Sequence, residues 1–391
     1  LFISSLTFIL SLIMWLIFDS GHNSFQFLCT IDWLPAFNFY YTVGVDGISL
    51  FFLILTTFLI MVCVLISWGS INYRLKEYLI NFLLLEFLLI QVFSVLDLLL
   101  FYVFFESILM PMFLIIGIWG SRERKIRAAY QFFLYTLVGS VLMLLGILII
   151  YSHGGTTDLQ MLWNLEFSEK KQIFLWVSFF LSFAVKIPMM PFHIWLPEAH
   201  AEAPTAGSVI LAGILLKMGA YGFLRFSLPM FPFATVFFTP LIFVLSLIAT
   251  IYASLTTLRQ VDLKKIIAYS SISHMGFVTI GIFTLNVQGL EGSIFLMLSH
   301  GLVSSALFFC VGILYDRYHT RVIKYYSGLV QVMPIFSIFF LFFSFANIGF
   351  PGTSSFVGEL LVLIGTFQSS FILTLFTGFS LVLGTAYSIW M

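Results

Sequence analysis

Residues 172–226 read QIFLWVSFFLSFAVKIPMMPFHIWLPEAHAEAPTAGSVILAGILLKMGAYGFLRF. A run long enough to cross hydrocarbon starts at Gln172, carries Lys186 deep inside it and is interrupted by Pro188 and Pro191. The chain resumes through HIWLPEAH, turns past Pro204 and enters a second apolar span with Lys217 near its middle. A lysine at the centre of a membrane helix costs roughly 2.5–3.5 kcal/mol on an insertion scale. Two of them beside a broken helix are expected to face a protein interior or a wet cavity and to carry function there.

The rest of the composition places this stretch in a membrane. Of 391 residues, 61% are hydrophobic, 9% are charged and 49 are phenylalanine, which leaves too little polar surface to coat a water-soluble fold. Hydropathy gives about twelve segments able to cross roughly 30 Å as helices. Their continuous apolar runs, without dyad alternation, exclude an outer-membrane barrel. Cys29, Cys63 and Cys310 are far apart, so neither a disulfide framework nor an iron–sulfur or zinc site is supported. No Rossmann or Walker glycine pattern is present, and energy is expected to arrive from elsewhere.

The expected spans are 1–18, 47–68, 78–96, 98–119, 130–151, 172–199, 205–226, 234–258, 265–285, 289–315, 331–367 and 371–391. The first has neither n-region nor cleavage site and does not read as a signal peptide. Between the first two, an amphiphilic loop is expected to lie on the surface with Trp33, Tyr40 and Tyr41 at head-group level. GFPGTSS interrupts the eleventh span as the prolines interrupt the sixth.

Assigning loops to alternate sides places Arg74, Lys76, Arg122, Arg124, Lys125, Arg127, Arg259, Lys264, Lys265, Arg317, Arg321 and Lys324 together. The opposite side has Lys170, Lys171 and Arg225. Such a bias makes the first side cytoplasmic, or the matrix side of a mitochondrion. Both broken spans are fourth in a block of five, so residues 78–226 and 234–391 are expected to be inverted repeats, preceded by flanking spans over 1–77. That is the layout of ion-coupled transporters whose discontinuous helices mark an ion site near the midplane.

Within the spans stand Glu86, Glu106, Lys186, Lys217 and Glu359, with His274 and His300 at similar depth. Acids, amines and imidazoles in low dielectric suit proton transfer, because each group's affinity for a proton follows its neighbours' charge. Glu106 and Lys186 are the natural opposite-charge pair, whether structural or proton-conducting. Lys217 has no sequence-evident partner and is expected to load and unload. Ser299, Ser304 and Ser305 extend a wire around His300, and Glu359 ends it. Backbone carbonyls freed near Pro188 are expected to be met by water or side chains. Glu86 reads equally as a static acid, and His274 as a structural histidine with Ser270 one turn away. His193, Glu198, His200 and Glu202 suggest a metal site, but Pro197 breaks the helical spacing and surface or interfacial structure is preferred. The cluster SRERKIRAAY from Ser121 reads as a positive-inside anchor and a candidate contact for lipid head groups.

LLLFYVFFESILMPMFLIIGIWG, FAVKIPMMPFHIWLPEAHAEAPTAGSVILAGILLKMGAYG, DLKKIIAYSSISHMG, MLSHGLVSSALFFCVG and PGTSSFVGELLVL resemble the subunit 4 family of respiratory complex I, the mitochondrial NADH:ubiquinone oxidoreductase, above all its organellar forms in plants and algae. The likeness covers essentially the whole chain. It implies an antiporter-like, multi-pass subunit of the inner-membrane arm, similar to subunits of cation/proton antiporters. It also implies neighbouring antiporter-like subunits and lipids, cardiolipin included, as partners, with no nucleic acid. NADH, FMN, iron–sulfur clusters and ubiquinone would be held by other subunits, with no cofactor or metal in this chain. By motif, Glu106 and Lys186 match the family's acid–lysine pair, Lys217 its central lysine, His300 its linking histidine and Glu359 its terminal acid. The family usually has fourteen spans, and the chain is expected to begin at the second and stop at the thirteenth. The competing readings are a free-standing sodium or potassium/proton antiporter and a vestigial structural subunit, which would need a broken wire. A redox enzyme in its own right lacks paired haem histidines and a nucleotide fold.

Overall fold

A computed structural model describes residues 1–391, with the side chains of residues 34 and 35 left aside. The chain is built from helices α1 (Phe2–Ile17), α2 (Gly47–Ser70), α3 (Leu75–Ser94), α4 (Leu98–Trp119), α5 (Lys125–Gly154), α6 (Glu169–Lys186) and α7 (Trp195–Glu202). There follow α8 (Thr205–Met230), α9 (Pro232–Thr257), α10 (Leu263–Phe283), α11 (Val287–Tyr318), α12 (Pro334–Ile348), α13 (Ser354–Ser369) and α14 (Phe371–Trp390). Among the described residues, nine helices are long and apolar enough to cross a membrane. That is fewer than the twelve segments expected from hydropathy. The difference lies in α1, which has 16 residues, in the halves of the second interrupted span, with 15 and 16, and in α6, whose 18 residues carry Glu169, Lys170, Lys171 and Lys186.

The architecture is helical with one exception. The expected surface loop is an antiparallel hairpin of β1 (Gln26–Leu34) and β2 (Phe39–Val45), with Asp32 opposite Tyr40 and Thr30 opposite Thr42. The run FYYTVGV is rich in aromatic and β-branched residues that fit a pleated, half-buried surface, and it supplies the second strand. Trp33 and Tyr40 are exposed, as expected, but the Tyr41 hydroxyl donates to Gln91 Oε1 at 2.5 Å.

The chain divides into two compact units. The first comprises Leu1–Phe183 with Tyr221–Val236. Two of its long helices start at strong caps: Asp46 forms a reciprocal capping box with Ser49 ahead of α2, and Asp97 accepts from the Leu99 and Leu100 amides ahead of α4. α4 bends at Ile108, three residues before Pro111, whose missing amide cannot satisfy the preceding turn. Phe52 stacks on Phe93 at 5.2 Å, and Tyr221 meets both rings edge-on.

The second unit comprises Ala184–Ala220 with Phe237–Met391. Its closest packing is α11 against α13. A methyl added at Gly358 would come within 2.9 Å of the Leu296 amide nitrogen, and one at Gly292 within 2.8 Å of the Val362 nitrogen. The two glycines therefore let the helix backbones touch, as small residues do where membrane helices pack.

Candidate functional site

The second unit gathers four of the candidate groups. Lys217 lies in α8, fully buried, between two π-turns at Leu211–Leu215 and Phe223–Ser227. A π-turn widens the helix by one residue and detaches carbonyls from their usual partners, and such turns recur at functional sites. Here Lys217 Nζ donates to Ala212 O, five residues back, at 2.5 Å. The same ammonium lies 2.8 Å from His300 Nδ1 on α11. At an effective dielectric of about 20, two positive charges this close repel by about 6 kcal/mol. The pair therefore holds at most one charge, and one partner donates the hydrogen bond that the other accepts.

The chain of groups continues beyond His300. The His274 ring centroid is 5.5 Å from that of His300, and His274 Nδ1 is 3.5 Å from Glu359 Oε1. All three residues are buried. His274 thus stands between His300 and Glu359, and its other nitrogen faces the Tyr387 hydroxyl at 3.5 Å. The sequence offered Ser270 as its companion; the packing supplies a carboxylate and a phenol.

Glu359 is placed by the break between α12 and α13. The backbone there turns through Gly349 at φ +77°, and the carboxylate occupies the space that a side chain on Gly349 would fill. Ser355 donates to Ala346 O and ties the two halves together. GFPG marked the turn in the sequence; nothing marked the contact with Glu359.

Lys186 ends α6 and is 2% exposed, at a helix C-terminus where the dipole favours a cation. Around the break, protein groups meet the carbonyls: Trp195 Nε1 donates to Val185 O at 3.0 Å and the Met189 amide to Ala184 O at 2.9 Å. For these two carbonyls the expectation of side chains or water resolves to protein donors. The Met190–Pro191 bond is cis.

The HIWLPEAH segment does not lie on the surface. His193, His200 and Glu202 are buried, His200 stacks on Phe308 at 4.7 Å, and of the four candidate ligands Glu198 alone reaches outward, to Lys265 at 2.7 Å, while Ile194 beside them is exposed. Two cations counted as loop charges are buried as well. Lys264 Nζ donates to Ala203 O at 2.7 Å, and Arg321 donates to Ala201 O, so both serve carbonyls at the end of α7.

The first unit holds the other two acids. Glu86 is buried on α3 and accepts from Thr7 of α1. Glu106 is half-buried on α4, so the expected Glu106–Lys186 pair has one member in each unit. This unit also contains an ion pair the sequence reading missed. Arg225 Nη2 donates to Asp46 Oδ1 at 2.6 Å, and its Nε donates to the Tyr221 hydroxyl at 3.2 Å. Burial pushes the Asp46 carboxyl upward, but the Arg225 guanidinium, with the Ser49 hydrogen bonds, outweighs it and holds the group below the usual carboxylate range.

Buried lysine, histidines and acid in a helical chain with two interrupted helices describe an antiporter-like membrane protein. The family model for NADH:quinone oxidoreductase/Mrp antiporter transmembrane proteins matches residues 95–384, and the chain belongs to that family. It is 74% identical over 391 residues to NADH-ubiquinone oxidoreductase chain 4 of Chondrus crispus, covering 100% of this chain and 80% of that one. To the protein of the same name from Arabidopsis thaliana it is 64% identical over 388 residues, covering 99% of this chain and 78% of the relative. Among solved structures, a chain of respiratory complex I from Thermus thermophilus superposes with a TM-score of 0.92 at 32% identity, covering 99% of this chain and 81% of that one. A chain of the Mrp complex from Dietzia sp. shares the fold, with a TM-score of 0.88 at 21% identity, covering 99% of this chain and 43% of that one.

Proposed function

We propose that this chain is a proton-translocating membrane-arm subunit of respiratory complex I in the mitochondrial inner membrane. NADH oxidation and ubiquinone reduction belong to other subunits, which hold the FMN and iron–sulfur clusters, and their energy reaches this chain as a displacement of charge. The observation that carries the reading is the buried Lys217–His300 hydrogen bond, followed within one unit by His274 and Glu359. A shared proton at Lys217–His300 moves when a neighbouring charge changes, and the imidazoles pass it toward the carboxylate.

Glu106 and Lys186 form the acid–lysine pair that modulates Lys217 in this scheme, with Glu86 outside the main line. Residues 78–226 and 234–391 are the two inverted repeats, a reading supported by one interrupted helix in each. Neighbouring antiporter-like subunits and membrane lipids, cardiolipin among them, are the proposed partners.

The test is native separation of gently solubilised membranes, blotting for this chain and staining the same lane for NADH oxidation. Migration with a very large NADH-oxidising assembly, and loss of proton pumping in Lys217→Ala, are the expected results. Migration alone or with a few small membrane proteins would overturn the assignment in favour of a free-standing cation/proton antiporter.

A further inference from the structure

The Glu359 end of the second unit has a branch that the Lys217 line does not use. His274 is engaged on both nitrogens, by Glu359 on Nδ1 and by the Tyr387 hydroxyl on Nε2. Tyr387 lies in the last turns of α14 and is 1% exposed. Beyond it is an enclosed cavity of about 10 Å³ whose polar lining is Ser270, Ser344, Asn347, Tyr387 and Ser388. That volume holds the centre of roughly one water, and a buried water needs about 2–4 polar partners. The remaining walls include Ile266 and Ile267, from the first turns of α10 just after Lys264 and Lys265. The cavity therefore lies on the lysine-rich side of Glu359.

We propose that this cavity binds a single water that makes Tyr387 a proton relay, giving the His274–Glu359 pair its own exchange toward the basic side, separate from Lys217. The Tyr387 hydroxyl gives its proton to His274 Nε2 while accepting one from the water. His274 passes the Nδ1 proton to Glu359, and the water is reprotonated from the basic side. The Tyr387 oxygen and the His274 ring each take up one proton as they release one, so a single positive charge moves; His274 ends as the Nε2–H tautomer and its ring turns back before the next transfer. This inference rests on the proposed proton-translocating role. Its own content is the bound water, the phenol and the direction of the branch.

The experiment uses the whole complex. A cryo-EM map fine enough to show waters is expected to have density within about 2.6–3.2 Å of the Tyr387 hydroxyl. Tyr387→Phe keeps the ring and removes the relay atom. It should lower coupled proton translocation about tenfold and raise its solvent deuterium isotope effect, with NADH oxidation by a hydrophilic artificial acceptor unchanged. Absence of the density, or wild-type translocation in Tyr387→Phe, overturns the inference. Glu359→Gln in parallel separates the two levels. If it abolishes translocation while Tyr387→Phe does not, only the branch fails; if it leaves translocation intact, the proposed proton line fails with it.

Discussion

Lys217 and His300 come from helices 83 positions apart and meet at 2.8 Å with neither side chain exposed to solvent. Two positive charges at that distance repel strongly, so the protonation of one partner depends on that of the other. Removing either partner should therefore cost about as much as removing both. With Lys217→Met and His300→Gln, each single variant is expected to slow proton translocation about 100-fold and the double variant little more. Additive losses in a double-mutant cycle would show that the groups act separately.

Gly349→Ala tests the placement of Glu359. A left-handed residue other than glycine costs about 1–2 kcal/mol, and the new methyl would also strike the carboxylate. The expected outcome is a modest fall in thermal stability with a disproportionate loss of translocation. Gly352→Ala is the control. It too has positive φ, but nothing lies within 4 Å of its added methyl, so it should lose stability without matching that functional loss.

Asp46→Asn should destabilise the first unit by about 3–5 kcal/mol, because it leaves the buried Arg225 without its counter-charge. The pH dependence has a definite sign. The folded carboxyl sits below its unfolded value of about 3.9, so its stabilisation is complete above that pH and disappears as pH falls through the folded value. Hydrogen exchange of the α2 N-terminus in wild type and Asp46→Asn should differ most above about pH 4 and converge in stronger acid. A difference that grew with acidification would reverse the assignment.

Lys264→Met keeps much of the stem and removes the ammonium that meets Ala203 O. Leaving that buried carbonyl unmet costs about 1–3 kcal/mol. Faster hydrogen exchange over residues 199–208, with α2 of the first unit unchanged, is the expected result. Unaltered exchange there would show that water replaces the lysine.

The helical class, the membrane setting and the two interrupted spans were legible in the sequence because each has a local cause: apolar length, proline, or a Gly-Phe-Pro-Gly turn. Buried charge likewise singled out Lys186, Lys217, His300 and Glu359. Three things had no local mark. The π-turns around Lys217 fall in a run with a regular helical pattern. The partners of His274 come from helices 85 and 113 residues away in sequence. Lys264 and Arg321 looked like loop cations because hydropathy records charge but not the direction in which a side chain folds back. The hairpin was hidden by the amphiphilic character of its loop, although FYYTVGV carried a strand signature.

The glycine contact between α11 and α13 bears on how firmly Glu359 is held. Gly358 immediately precedes Glu359, and at that point the two backbones leave no room even for a methyl group. The helix that carries Glu359 and the helix that carries His300 therefore touch backbone to backbone one residue from the carboxylate. Under the proposed role the contact serves as a rivet: it ties the acid at the end of the line to the helix that presents the linking histidine.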